Sequence, residues 1–321
     1  MDEPIVSAKG IKKYFPITGG LFSRQVDRVK AVDGVDFLIR KRETLGLVGE
    51  SGCGKTTLGR LLAMLEEPTA GEISFGGVNL TGLSPEEKRH LRRKIQMIIQ
   101  DPFSSLDPRQ TARAIVGEPL KIHLPLSRKD RDERVNELLR VVGLGAEHLD
   151  RFPHEFSGGQ RQRVSIARAM ALNPDLVVAD EPVSALDVSI QAQVLNLLAD
   201  LQEQFNLTYL FISHDLRVIQ FISDRIAVMY LGKIVESAPN KELHSNPCHP
   251  YTQALLKASP IPDPRMKQED TWLKGDVPSP IHLPLGCRFQ SRCPVKIEIC
   301  SRDEPEFRQI SPEHWLACHI V

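Results

Sequence analysis

Thr44-Leu45-Gly46-Leu47-Val48-Gly49-Glu50-Ser51-Gly52-Cys53-Gly54-Lys55-Thr56-Thr57 is the stretch on which the fold turns. Its first five residues form an apolar run that reads as a buried strand. Leu58-Gly59-Arg60-Leu61-Leu62-Ala63-Met64-Leu65 follows and reads as a helix. Strand, glycine loop and helix, in that order, are the setting that a phosphate-binding G-x-x-x-x-G-K-T loop requires. The glycines let the backbone curl until successive N–H groups converge on one centre. The helix N-terminus adds partial positive charge there. Lys55 reaches the outer phosphates, and the Thr56 hydroxyl is placed for Mg²⁺. The plain alternative, a glycine-rich turn with no ligand, does not require the whole pattern in this context.

Two other buried runs end in chemistry. Asp175-Leu176-Val177-Val178-Ala179-Asp180-Glu181 reads as a strand with two acids at its C-terminal end, the end that faces ligand in a parallel sheet. Asp180 there can hold Mg²⁺ through water, and Glu181 can polarise an attacking water. Leu207 to Ser213 reads as another strand, with His214 just past it and placed for a γ-phosphate. Phe156-Ser157-Gly158-Gly159-Gln160 opens a helix from Arg161 to Leu172; alone it is a helix cap, but it is also a second anion site. One nucleotide needs one such site, so the second calls for an explanation.

Around these runs, residues 5 to 15 read as an edge strand closing on Tyr14-Phe15, residues 16 to 30 as a loop or hairpin, and Ala31 to Ile39 as a strand. By spacing alone Phe15 is a core aromatic. Glu72 to Val78 is a short strand and turn. Pro85 to Arg93 is a charged helix capped by Ser84, and Ile95 to Ile99 is a strand ending at Gln100. Asp101 to Arg109 is a turn-rich loop, residues 110 to 150 are mostly helical, and Ile190 to Gln204 is a helix. Ile226 to Glu236 is a hairpin around Gly232.

The 321 residues hold one large domain or two modest ones, with 41% hydrophobic residues to build a core. Lys plus Arg equals Asp plus Glu, 41 of each, so the footprint of a basic nucleic-acid binder is missing. No apolar run nears the ~20 residues of a membrane span. The polar, acidic start predicts no signal peptide, hence a protein that stays inside the cell with reduced cysteines. Beyond Asn240 the prolines at 247, 250, 260, 262, 264, 278, 280, 284 and 294 predict an irregular appendage. Four of the six cysteines lie there: Cys287, Cys293, Cys300 and Cys318. Their gaps suit zinc poorly and leave open a four-thiolate iron–sulfur cluster or four unligated thiols. Cys53 and Cys248 read as plain thiols.

Taken together the motifs resemble the ATP-binding subunits of ABC transporters. Phe15, Gly49 to Thr56, Gln100, Ser157 to Gln160, Leu176 to Glu181, Ser184 to Asp187 and His214 stand in the order of that family's adenine-stacking loop, Walker A, Q-loop, signature, Walker B, D-loop and switch histidine. The one departure is Phe156, where Leu is usual. The resemblance implies an α/β P-loop cassette: a mainly parallel core sheet with an antiparallel β subdomain and a helical subdomain at about 101–155. The cassette occupies 1–240 and a Cys-containing C-terminal region 241–321. It implies that Phe15 stacks on adenine, that Gly49, Glu50, Ser51, Gly52, Cys53, Gly54, Lys55, Thr56 and Thr57 hold ATP, and that Thr56, Gln100 and Asp180 hold Mg²⁺. Lys55, Gln100, Glu181 and His214 are then catalytic. Ser157, Gly158, Gly159 and Gln160 serve the nucleotide of a facing subunit, which accounts for the second anion site.

The extended Gln100 to Arg109 segment, His249-Pro250-Tyr251-Thr252-Gln253-Ala254-Leu255-Leu256 and the Gly-Cys-x-Phe-x-x-Arg-Cys pattern look like the dipeptide and oligopeptide importer branch, whose tail is associated with a [4Fe-4S] cluster on Cys287, Cys293, Cys300 and Cys318. The partners so implied are a second ATPase subunit (homo- or heterodimer), two membrane permeases and an extracytoplasmic peptide-binding protein, with no nucleic acid. The location is peripheral, at the cytoplasmic face of the membrane. An importer of nickel or another small solute, a soluble ABC ATPase and a P-loop kinase are the rival readings.

Overall fold

The computed structural model describes residues 4–19, 24–101, 105–258, 275–276 and 278–321. The loop positions Pro102, Phe103 and Ser104, the tail prolines at 260, 262 and 264, and Gly20 lie outside the described residues. β1 (Pro4–Gly19) and β2 (Arg24–Arg40) lead to β3 (Thr44–Val48) and α1 (Lys55–Leu62). β4 (Ala70–Phe75), β5 (Val78–Asn79), α2 (Pro85–Lys94) and β6 (Ile95–Ile98) follow. The helical portion holds α3 (Ala112–His123), α4 (Arg128–Val141) and α5 (Gly158–Met170). β7 (Leu176–Asp180), α6 (Val188–Phe205), β8 (Thr208–Ser213), α7 (Leu216–Ile222), β9 (Arg225–Tyr230) and β10 (Lys233–Pro239) return to the sheet. The tail adds α8 (Asn240–Ser245), α9 (Pro250–Ala258), β11 (Arg308–Ser311) and β12 (His314–Leu316).

Among the described residues the strands form two sheets. One is four-stranded, in the order β2-β1-β4-β5; the other is eight-stranded, in the order β11-β12-β10-β9-β3-β8-β7-β6. In the larger sheet β3 lies between β8 and β9 and runs parallel to both, and β7 runs parallel to β8 and β6. Every residue of β3, β7, β8 and β9 is buried, because a parallel strand covered on both faces has no solvent side. The C-terminal ends of β3, β7 and β8 therefore open at one edge, and each releases one of the candidate groups.

Local signals place the helix starts. Ser84 and Glu87 form a reciprocal capping box with Pro85 at the first helical position. Thr111 and Ser127 cap α3 and α4. The helix expected from Arg161 begins three residues earlier, at Gly158, because the Ser157 hydroxyl accepts from the Gln160 N–H and fixes the first turn there. Phe156, which stands where the family usually has Leu, is buried and stacks on His148.

Two expectations are corrected. β1 is no edge strand: it lies between β2 and β4, paired with β4 from Val6 to Lys12, and it continues past Phe15 to Gly19 along β2. Nor is the tail an irregular appendage. β12 pairs with β10 at Glu236↔Leu316 and Ser237↔Trp315, so the β11–β12 hairpin extends the main sheet. Tyr251 and Phe289 of the tail belong to the same apolar cluster as Val177, Phe211 and Tyr230. The proline clusters drew attention away from these two short strands.

Candidate nucleotide site

The phosphate loop is shaped by backbone that only glycine can supply. A Cβ on Gly49 would stand 2.1 Å from the Met229 carbonyl oxygen, and one on Gly54 2.1 Å from that of Ala31. Gly54, at φ +110°, is also in the left-handed region. Gly54 is the N-cap of α1, and no side chain caps that helix, so its first amides face the loop's interior unclaimed by a side chain. Lys55 is buried, with Nζ donating to the carbonyls of Gly49 at 2.7 Å and Glu50 at 3.0 Å. Cys53 packs beside it, 3.8 Å from Nζ, and burial pushes its thiol pKa up.

Loop and strand ends meet at a cavity of about 410 Å³. It is lined by Ser51, Gly52, Gly54, Lys55, Thr56 and Thr57 of the loop, by Gln100, Glu181 and His214, and by Val29, Ala31 and Pro280. Thr56 Oγ1 donates to Asp180 Oδ1 at 3.0 Å, pairing two hard oxygen atoms as a Mg²⁺ site would use them. Asp180 is 2% exposed, and burial raises its pKa; the Thr56 hydroxyl opposes that rise, while the Glu181 charge adds to it. Glu181 Oε2 accepts from Gln100 Nε2 at 2.9 Å and stands 3.1 Å from His214 Nδ1. Glu181 has φ +46°, a strained conformation for a residue with a side chain, held by its N–H bond to the Ile212 carbonyl at 2.9 Å.

Other expected site residues lie apart. None of Ser157, Gly158, Gly159 and Gln160 lines this cavity. Ser157 and Gly158 are exposed, while Gly159 is buried against Ile190. Phe15 stands across the ladder from Val29, with the Lys13 ammonium 5.0 Å from its ring centroid. In the tail all four cysteines are free; Cys300 and Cys318 are buried, Cys287 and Cys293 half-buried. Burial pushes the Cys287 thiol up to about 11, and the charges of Cys300, Cys318 and Cys293 add to that. Cys287 N–H also donates to the Cys300 carbonyl at 2.9 Å.

Residues 32–184 match the ABC transporter family, and residues 235–300 match the oligopeptide/dipeptide transporter C-terminal region. Over 99% of its length the chain is 56% identical to an oligopeptide transport ATP-binding protein, AppF, of Bacillus subtilis, covering 98% of that protein. The chain belongs to the ATP-binding proteins of ABC transporters. It is also 50% identical to a dipeptide transport ATP-binding protein, DppF, of Haemophilus influenzae, over 99% of this chain and 97% of that one. Among solved structures, the dimeric post-hydrolysis form of an ATP-binding cassette with ADP and Pi is similar at a TM-score of 0.66 and 30% identity, over 73% of this chain and 98% of that one.

Sequence reasoning missed what the tail brings to this cassette. Arg292 reaches Glu50, the Tyr251 hydroxyl reaches the same loop residue, Arg288 reaches Asp33, and Pro280 lines the cavity. Two arginines do stand inside the cysteine pattern, Cys287-Arg288-Phe289-Gln290-Ser291-Arg292-Cys293, but nothing local ties them to Asp33 or Glu50. Also missed was Glu236, fully buried, whose carboxylate accepts from the amides of Cys248 at 2.7 Å and His249 at 3.0 Å and meets His314 Nε2 at 2.8 Å. These bonds account for the close grouping of Glu236, Cys248 and His314 as a staple across the tail.

Proposed function

We propose that this chain is the ATP-hydrolysing subunit of an importer for dipeptides or oligopeptides, attached peripherally to the cytoplasmic face of a membrane. The observation that carries the reading is the meeting of Gln100 and His214 on one oxygen of Glu181, beside the Thr56–Asp180 pair and above the phosphate loop. Lys55 and the loop amides take the charge of the phosphates. Thr56 and Asp180, joined by Gln100, would hold Mg²⁺, which when bound neutralises phosphate charge. Glu181 takes the proton of the attacking water, oriented by the groups on its Oε2, and His214 contacts the γ-phosphate. Phe15 supports the adenine.

Because Ser157, Gly158, Gly159 and Gln160 lie outside the cavity and Ser157 and Gly158 face solvent, they serve the nucleotide of a second ATPase subunit or a second copy. Binding energy then drives closure of the pair, and hydrolysis releases it. Two permeases and an extracytoplasmic peptide-binding protein complete the system. No described helix is long and apolar enough to cross a membrane, so the membrane path must come from those partners.

Cys287, Cys293, Cys300 and Cys318 would hold a [4Fe-4S] cluster; four free thiols are the donor set such a group takes, and it would supply a cross-link within the tail. Iron and sulfide analysis of protein purified without oxygen tests this, and absence of iron sinks it. The functional reading is tested in vesicles holding the permeases and both ATPases, with the binding protein outside. Peptide uptake should follow ATP and stop with Glu181→Gln; uptake of a metal ion in place of peptide would overturn the choice of cargo.

A further inference from the structure

Glu50, the second residue of the phosphate loop, is held from behind by the tail on both its side chain and its backbone. Arg292 is 5% exposed and makes a fork: Nη1 to Glu50 Oε2 at 2.6 Å and Nη2 to Oε1 at 2.9 Å. Glu50 N–H donates to the Tyr251 hydroxyl at 2.9 Å. The groups that do the holding are themselves fixed. Tyr251, Tyr230 and Phe289 form an aromatic cluster with ring centroids 4.7 to 5.4 Å apart. The Arg292 guanidinium lies over the Tyr230 ring at 5.9 Å.

The loop needs such support. Gly52 and Gly54 both sit at positive φ, where glycine gives shape at the cost of freedom, so an unsupported loop samples many other conformations. A half-buried two-pronged ion pair selects one of them before nucleotide arrives, and that preorganisation appears as affinity. The same tail segment also ties down the strand behind the loop: Arg288 bridges the Asp33 carboxylate and the Leu231 carbonyl. The Gly232 N–H then donates to the Cys53 carbonyl at 2.8 Å.

We propose that Arg292 is a positioning residue of the ATP site: by gripping Glu50 it holds the phosphate loop in its receiving shape, so that the C-terminal region sets nucleotide affinity. This rests on the reading of the cavity as an ATP site. The test uses the full-length chain with its partner ATPase and permeases, and compares Arg292→Met and Arg292→Lys with the unsubstituted protein. The measurements are KM for ATP, kcat, Kd for a fluorescent ATP analogue and Tm. Arg292→Met should raise KM and Kd about tenfold with a smaller change in kcat, the scale of one charge-assisted contact. Arg292→Lys keeps the charge but loses the fork, and should fall between the two. A lowered Tm with KM and Kd within about twofold overturns the proposal. If the Met variant does not fold, the Lys variant decides, and unchanged KM and Kd there overturn it equally. Failure of the unsubstituted protein to bind ATP would instead refute the ATP site itself.

Discussion

Two glycine-rich turns in this chain each start a helix, and they are built in opposite ways. The loop before α1 has no side-chain cap, hides its lysine among its own carbonyls, and packs two glycines against neighbouring backbone. The turn before α5 is capped by its own Ser157, closed reciprocally by Gln160, and presents Ser157 and Gly158 to solvent. A helix start with no side-chain cap inside a cavity is made to receive an anion on its own. One already capped and facing outward suits an anion delivered by another body. The difference teaches that one sequence pattern, glycines at a helix start, can serve ligand binding or docking, and that capping and burial decide which.

If the chemistry belongs to the first turn's side of the molecule, Glu181→Gln should lower kcat by about a hundredfold or more while ATP still binds. Phosphate release and equilibrium binding check this. The same variant loaded with ATP should pair with its sister subunit, and strict separation on size exclusion would break the assignment of the second turn. Next in size is a steric contrast. Gly49→Ala forces a methyl group against the Met229 carbonyl and should destabilise by about 3 kcal/mol or more, seen as a large fall in Tm. Gly158→Ala meets nothing closer than the Leu186 side chain at 3.4 Å and should leave Tm nearly unchanged. Equal losses in Tm would erase the contrast.

A pH experiment sharpens the first site. Burial raises the Asp180 pKa above its ordinary 3.8, so folding favours the protonated form. The stability this gives is complete below pH 3.8 and is lost as pH rises through the folded-state value. Asp180→Asn should therefore melt higher than the unsubstituted protein at pH 7, with the gap closing on acidification; a lower Tm at pH 7 would refute it. Smallest is Ser157→Ala, which removes the cap of α5 and should cost about 1 kcal/mol by denaturant titration, while nucleotide binding to the isolated chain stays unchanged.

The sequence made the first site legible because its signals are local. Loop, strand ends and caps are each written within a few residues, and Asp180, Glu181 and His214 follow apolar runs that only a buried strand explains. The ends of the long ribbon were less legible, because β1 owes its length to pairing with β2 rather than to its own pattern. The tail was misread for a related reason. β11 is four residues and β12 three, too short to show alternation, and their place in the sheet depends on β10, far upstream. Arg292 escaped notice because its meaning lies in Glu50, 242 positions away. A contact at that range leaves no trace in spacing.

The seam between β10 and β12 has a practical consequence. Glu236 is fully buried on β10, and its partners Cys248, His249 and His314 all come later in the chain. A fragment ending near residue 240 would strip that carboxylate of every one of these partners. It would also leave β10 without its neighbour at Glu236 and Ser237, an open strand edge that invites self-association. Excising the C-terminal quarter to obtain a minimal enzyme should therefore yield an insoluble product.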